Sequence, residues 1–244
     1  MPDETTRIHT VHTFSVQAVL FDMDGTLIDS TPAVERSWAT WAERWGVHFA
    51  TPPAQQGRPA RDIVREHLPA AQVDAAFADI EATEVADTAG IVRLAGVPQL
   101  LASLPADRWA VVTSCSAPLA AARLSVVDIR PGVLVTASDT ERGKPDPAPY
   151  LAAAARLGFA PRNCLVVEDA AAGLQAGRAA GCATLGVIGT LGHGVLQADA
   201  VAASLEDVSV VAGPDGLRVS VRIDDHAASA TARVAPSSSA QEGV

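Results

Sequence analysis

The sequence predicts an α/β fold: a doubly wound, mostly parallel sheet with an inserted α-helical cap domain. Three observations carry that prediction. Four short apolar runs, at Ala18–Phe21, Trp109–Val112, 164–167 and 183–188, alternate with segments of helical pattern, as strands do when helices cross over between them. None of the four runs has a polar face, so both sides of the sheet must be covered. Between the first run and the second, the stretch 31–92 reads as helix throughout, which is too long for a single crossover and long enough for a lobe of its own.

Residues 1–16 show neither an apolar run nor a helical period and are expected to be a flexible N-terminal segment. The core domain is expected over 17–30 and 93–223, opening with the strand Ala18–Phe21. Residues 31–92 form the cap, as helices over 33–45, 61–68 and 72–86 separated by Pro52, Pro53, Pro59 and Pro69. Trp38, Trp41 and Trp45 recur at helical spacing on the first of these and read as its packing stripe. The core resumes with a helix over 97–104. Asp146 as N-cap and Pro147 in the first turn start a helix over Ala148–Leu157 that Gly158 ends. A helix over 170–180 stops at Gly181. Near the end, 208–212 and 217–223 flank Gly213, Pro214, Asp215 and Gly216, which marks a β-hairpin. Residues 224–244 are rich in Ala and Ser without apolar periodicity, and a disordered tail is expected there.

Composition narrows the function. A length of 244 residues accommodates one core and an insertion. Eighteen basic against 28 acidic residues give a net charge of −10, which repels nucleic acid and anionic membrane surfaces, so neither is an expected partner. An anionic small substrate would need a local positive site. The absence of a long uncharged apolar stretch implies no membrane span and no signal peptide. Three cysteines, Cys115, Cys164 and Cys182, match no zinc spacing, and their odd number favours a reducing cytoplasm over a disulfide framework.

The residues that carry chemistry sit at predicted strand ends. Asp22, Asp24 and Gly25 follow the first strand, Thr113 and Ser114 the second, and Glu168 and Asp169 the third; Lys144 lies on a loop between the last two. In a parallel sheet these ends share one edge, where ligands bind. Singly, each has an ordinary reading as a turn residue, a helix cap or a solvated lysine. Jointly, acid, hydroxyl, lysine and acid at successive ends form one constellation.

The segments DMDGTLIDS, VVTS, GKPDP and VVEDAAAG, in this order, resemble the four motifs of the haloacid dehalogenase superfamily of phosphotransferases, and the likeness runs from about residue 18 to 223. A cap between the first two motifs is the helical type. Within it, PAVERSWATWAERWG, EATE, VVTSCS and ERGKPDPAPY are similar to bacterial broad-specificity sugar phosphatases and the β-phosphoglucomutase-like subfamily. The resemblance implies a Rossmann-like core and a Mg²⁺-dependent phosphatase of small monoesters, sugar or polyol phosphates above all, working through an aspartyl-phosphate.

Carried onto this chain, the resemblance makes Asp22 the nucleophile and Asp24 the acid and base. Gly25 lets the backbone pass close to the phosphate. Asp22, Asp169 and the backbone carbonyl of Asp24 would hold Mg²⁺, with Glu168 behind them or as an occasional ligand. Lys144 would neutralise charge, and Thr113 would hold a phosphate oxygen, helped by the Ser114 amide at a helix start. Arg58, after Gly57, falls where capped relatives carry a specificity loop; it either meets substrate or is solvated. Glu81 and Glu84 read as a wet helix face. Cys115 is either a small buried residue or a thiol whose pKa a helix start lowers. A sugar-phosphate mutase is the alternative; mutases tend to carry a His near the position of Val34, which favours hydrolysis here. A monomer or small homo-oligomer is expected.

Overall fold

The computed structural model describes residues 9–50, 60–188 and 196–224. The chain opens with β1 (His9–Val16) and β2 (Ala18–Phe21); β5 (Trp109–Val112), β6 (Val133–Val135), β7 (Cys164–Glu168), β8 (Ala183–Val187) and β9 (Ala200–Ala202) follow further on. The main sheet has six strands in the order β6-β5-β2-β7-β8-β9, and every neighbouring pair is parallel.

Side chains alternate across this sheet with the two-residue period of a strand. Ala18, Leu20, Ala110, Val112, Cys164 and Val166 face one side, against Tyr150, Ala153 and Ala154 of α6 (Ala148–Leu157) and Ala176 of α7 (Ala171–Ala179). Val19, Phe21, Val111, Leu165 and Val167 face the other, against Leu100 of α4 (Val97–Ala102) and Ala120 and Leu124 of α5 (Ala117–Val126). Helices on both faces make the sheet doubly wound. Each of the Val, Leu and Phe side chains among these contributes about 1.5–3 kcal/mol on full burial, so the strand ends rest on a stiff platform.

Helix α6 spans the expected residues, and its N-cap lies one residue later than expected. Pro147 occupies the N-cap position, while the Asp146 carboxylate still accepts the Ala148 N–H at 2.9 Å. The proline ring carries no N–H to be capped, so the acid serves the next donor.

Between β2 and β5 the chain builds α1 (Thr31–Trp45), α2 (Ala60–His67) and α3 (Ala70–Ala86). These helices have an apolar core of their own, including Trp38, Trp41, Ile63, Val64, Val73, Ala76 and Ile80. Trp41 is fully buried and its indole N–H donates to the Ala76 carbonyl at 2.8 Å. Two short strands, β3 (Ile28–Asp29) and β4 (Val92–Arg93), pair antiparallel where the chain leaves for this lobe and returns. Strands of two residues carry no period, so nothing in the sequence marks them.

Residues 9–16 are not flexible, contrary to the sequence-based expectation. Strand β1 pairs along its length with β11 (Gly216–Asp224), which also pairs with β10 (Val208–Gly213), in a three-stranded antiparallel sheet. Phe14 and Val16 point inward and are buried while Thr13 and Ser15 are exposed. That alternation is the strand signal, but the partner strand lies at the other end of the chain. The hairpin of β10 and β11 forms as expected. Asp224 ends β11, and the remainder of the expected tail lies outside the described residues, as do Gly57 and Arg58.

Candidate active site

Strands β2, β5 and β7 end side by side, and their register puts Phe21 level with both Val111 and Val167. The next residues therefore share one edge. Asp22 continues the ladder, its N–H donating to the Val167 carbonyl at 2.9 Å, and Thr113 does the same to Val135 at 2.9 Å.

Lys144 reaches into this edge from its loop with only 8% of its side chain exposed. Its ammonium donates to Asp22 Oδ1 at 2.5 Å, to Glu168 Oε1 at 2.7 Å and to the Val112 carbonyl at 3.0 Å. Burial alone would lower its pKa, but Asp22 and Glu168 overcome that and hold it well above the ordinary range. Its two carboxylate partners favour the charged form.

Glu168 is buried. Its Oε1 also accepts the Tyr150 hydroxyl at 2.9 Å, and its Oε2 accepts the Ala170 N–H at 3.0 Å. Gly173 on α7 permits this, because a Cβ there would land inside the Glu168 carboxyl group. Both oxygens are thus taken by protein donors. Asp169 accepts from the Thr26 hydroxyl at 3.2 Å and sits over Gly25. Gly25 has a φ of +86°, and a Cβ on it would collide with the Asp169 carboxylate, so both conformation and space require glycine.

Oxygens of Asp22, Glu168 and Asp169 all lie within 4.8 Å of one another. Burial pushes the Asp22 carboxyl well up, and Glu168 and Asp169 add to the rise, with Lys144 opposing it. Asp169 is pushed up to about 7 by burial and then by Glu168. Three acids against one lysine leave a surplus of negative charge, and all-oxygen donors suit a hard divalent cation. The residues fit Mg²⁺: Asp22 and Asp169 have carboxylate oxygens to offer, whereas those of Glu168 are engaged.

Asp24 differs from Asp22 in every contact. Its Oδ1 accepts from the Ser30 hydroxyl at 2.6 Å and from Arg123 Nη1 at 2.9 Å, and its Oδ2 accepts the Cys115 thiol at 3.3 Å. Thr113 is buried, and its Oγ1 accepts the Cys115 N–H at 3.1 Å. Ser114 lines the cavity but is not at a helix start. Helix α5 begins at Ala117, capped by Ser116, because Pro118 is tolerated only in a first turn and fixes the helix start there. Desolvation raises the Cys115 thiol well above its usual range, so it is a half-buried small residue and not an activated thiolate.

Sequence reasoning missed Arg123, and misread Glu84. Glu84 is not on a wet face: it is 6% exposed and accepts from Arg123 Nη2 at 3.0 Å. Burial lifts its carboxyl to about 7, against the pull of Arg123. Arg123 lies on α5 at 4% exposure. Its neighbours in sequence are apolar, and a charge on an otherwise buried helix face was the one available signal.

These groups open onto a cavity of about 430 Å³, within the range that takes small ligands. The core supplies Asp22, Asp24, Thr113, Ser114, Lys144 and Asp169, and the helical lobe supplies Trp38, Arg61, Phe77, Ile80 and Glu81.

A family model for haloacid dehalogenase-like hydrolases matches residues 16–181. Hexitol phosphatase A of Escherichia coli is 42% identical over 205 residues, covering 81% of this chain and 95% of that protein. Glycerol-1-phosphate phosphohydrolase 1 of Saccharomyces cerevisiae is 32% identical over 200 residues, covering 72% of this chain and 76% of its own. Among solved structures, a hydrolase from Pseudomonas syringae superposes with a TM-score of 0.67 at 24% identity, covering 76% of this chain and 92% of that one. CbbY from Rhodobacter sphaeroides in complex with phosphate gives 0.65 at 22%, covering 78% and 95%. With a family model over more than half its length and a phosphatase relative at this identity, the chain belongs to the haloacid dehalogenase-like hydrolases, as a phosphoric monoester hydrolase.

Proposed function

We propose that the protein is a Mg²⁺-dependent phosphatase of sugar or polyol phosphates, acting in the cytoplasm through an aspartyl-phosphate on Asp22. One observation carries the reading: a buried carboxylate at a strand end, 2.5 Å from a buried lysine and beside Asp169, with a second carboxylate two residues on in the same cavity. The substrate class is taken from the relatives, one named for hexitol and one for glycerol phosphate.

In this reading an Asp22 oxygen attacks phosphorus while the bond to the ester oxygen breaks, and Asp24 gives that oxygen its proton. Asp24 then takes a proton from the water that attacks the phosphoryl group, which frees Asp22 and releases phosphate. Lys144 holds Asp22 in place and offsets charge on the transferring group. Thr113 and Ser114 position its oxygens. Asp22, Asp169 and the Asp24 carbonyl would hold Mg²⁺, which supplies charge neutralisation that one lysine cannot. Glu168 keeps Lys144 aimed. The phosphoryl group in flight is loose, so positioning and charge supply most of the acceleration. The helices of 31–92 act as the cap over the substrate's alcohol portion, and Arg58, outside the described residues, is assigned to the substrate's hydroxyls or its phosphate side.

Free phosphate released from a panel of sugar, polyol and activated phosphate esters, with Mg²⁺ or with EDTA, tests this. Turnover of polyol or sugar esters only with the metal is expected. Isomerised sugar phosphate without free phosphate would make the protein a mutase.

A further inference from the structure

Asp24 is pinned from one side only. Its Oδ1 takes Ser30 and Arg123, while Oδ2 has, among the described residues, only the Cys115 thiol, a weak donor. Oδ2 is therefore the oxygen free to exchange a proton with a bound ester, and where it points depends on what grips Oδ1. Ser30 is a single hydroxyl. Arg123 is a planar fork whose other arm, Nη2, is fixed on Glu84.

The fork spans two parts of the molecule. Glu84 stands in the last turn of α3 in the helical lobe, and Arg123 stands on α5 of the core. Of the ion pairs among the described residues, Arg123–Glu84 is the one that joins α1–α3 to the core. Arg123 also gives its Nη1 to Cys115 Sγ at 3.4 Å, and its Nε finds no partner among the described residues. A buried ion pair is a poor way to gain stability, since apolar side chains of similar volume tie two helices at least as well. A charged, incompletely satisfied guanidinium on the cavity wall, one bond from Asp24, calls for another reason.

We propose that Arg123 is a positioning residue: anchored on Glu84, it fixes the Asp24 carboxylate so that Oδ2 meets the leaving oxygen of the ester. This rests on Asp24 being the proton donor. A lysine could not replace it, because an ammonium is a point charge that cannot hold two carboxylates in the fixed plane of a guanidinium. The prediction concerns leaving groups. An alkoxide leaves badly without a proton, whereas p-nitrophenolate leaves readily, so losing the alignment should harm the first reaction far more.

The test compares the single-turnover rate of leaving-group release, which reports the first step alone because Asp24 also serves as base in the second, and the half-saturating substrate concentration, for glycerol phosphate and p-nitrophenyl phosphate in the parent and in Arg123→Lys, Glu84→Gln and Asp24→Asn, each shown to be folded by circular dichroism. Misplacing a reacting group by an ångström costs about a hundredfold. Arg123→Lys should lose about that much in the single-turnover rate on glycerol phosphate, and at least about tenfold less on p-nitrophenyl phosphate, with the half-saturating concentration little changed. Glu84→Gln keeps shape and an acceptor for Nη2, so it should fold even where Arg123→Lys does not, and should show a smaller loss with the same bias. Equal losses on both esters, or no loss, in the folded variants would overturn the proposal. Asp24→Asn separates the two claims. If it shows the bias and the other two do not, Arg123 is not the positioner; if it lacks the bias itself, the proton-donor reading of Asp24 has failed.

Discussion

Asp22 and Asp24 are two residues apart on one turn, yet they belong to different parts of the molecule. Asp22 is locked into the sheet edge: its own amide is in the ladder and its carboxylate is on Lys144, which in turn is held by Glu168. Asp24 faces the helical lobe, held by Ser30 before α1 and by an arginine tied to α3. The surroundings of Asp22, the proposed nucleophile, come from strand ends of the core, while those of Asp24, the proposed proton donor, include contacts from the lobe. On the proposed roles, bond making to phosphorus and proton delivery to the alcohol are supported by separate structures.

If that division is right, damage at the sheet edge should stop all substrates alike. Asp22→Asn should have the largest effect, a loss of about four orders of magnitude or more in kcat on every ester, with the melting temperature little changed; activity above about a per cent would remove Asp22 from the role. Chelation comes next. EDTA should abolish turnover of activated and unactivated esters equally, and Asp169→Asn should raise the Mg²⁺ concentration for half-maximal rate, since it removes one charge from the ligand set. Undiminished turnover in EDTA contradicts this. Gly25→Ala should act in the same sense and less strongly. A Cβ at φ +86° is strained and displaces Asp169, so isothermal titration should show weakened Mg²⁺ binding; parent-like binding would mean that the turn yields instead.

The smallest effect sits on the lobe side. Glu84 has its carboxyl raised from 4.5 to about 7 by burial. Between those values the folded state holds the proton more tightly than the unfolded chain, so stability from this group falls as pH rises through the window and is fully penalised above about 7. Glu84→Gln removes that slope. Urea unfolding at about pH 5 and about pH 8 should show the variant gaining on the parent by up to about 2 kcal/mol as pH rises. The opposite sign would show that Arg123 outweighs burial at this site.

The same division governs what could be read from the sequence. Asp22, Thr113, Glu168 and Asp169 each follow an apolar run, and parallel strands necessarily bring such ends together, so local pattern located them in space. Lys144 was placed by its neighbouring Pro and Gly. Arg123 and Glu84 follow no such rule. Each sits on a helix, and their meeting depends on how α3 packs against α5, a contact between helices of different apolar clusters that no local period encodes. Strand β1 escaped for a related reason: the alternation around Phe14 and Val16 was present, but its pairing partner is β11. The misplaced start of α5 came from putting the Ser114 amide at the helix start, when Ser116, followed by Pro118, fits better as the cap.

The central claim is a phosphoryl group on Asp22, and the direct measurement is to trap it. The Asp24→Asn variant, mixed with p-nitrophenyl phosphate and Mg²⁺ and quenched in acid, should accumulate the intermediate, because the leaving group needs no proton while the attacking water lacks its base. Peptide mass spectrometry should then find one phosphoryl group, on the peptide carrying Asp22 and at that residue. Release of p-nitrophenolate without any phosphorylated peptide, or with the phosphoryl group on another residue, would contradict the account.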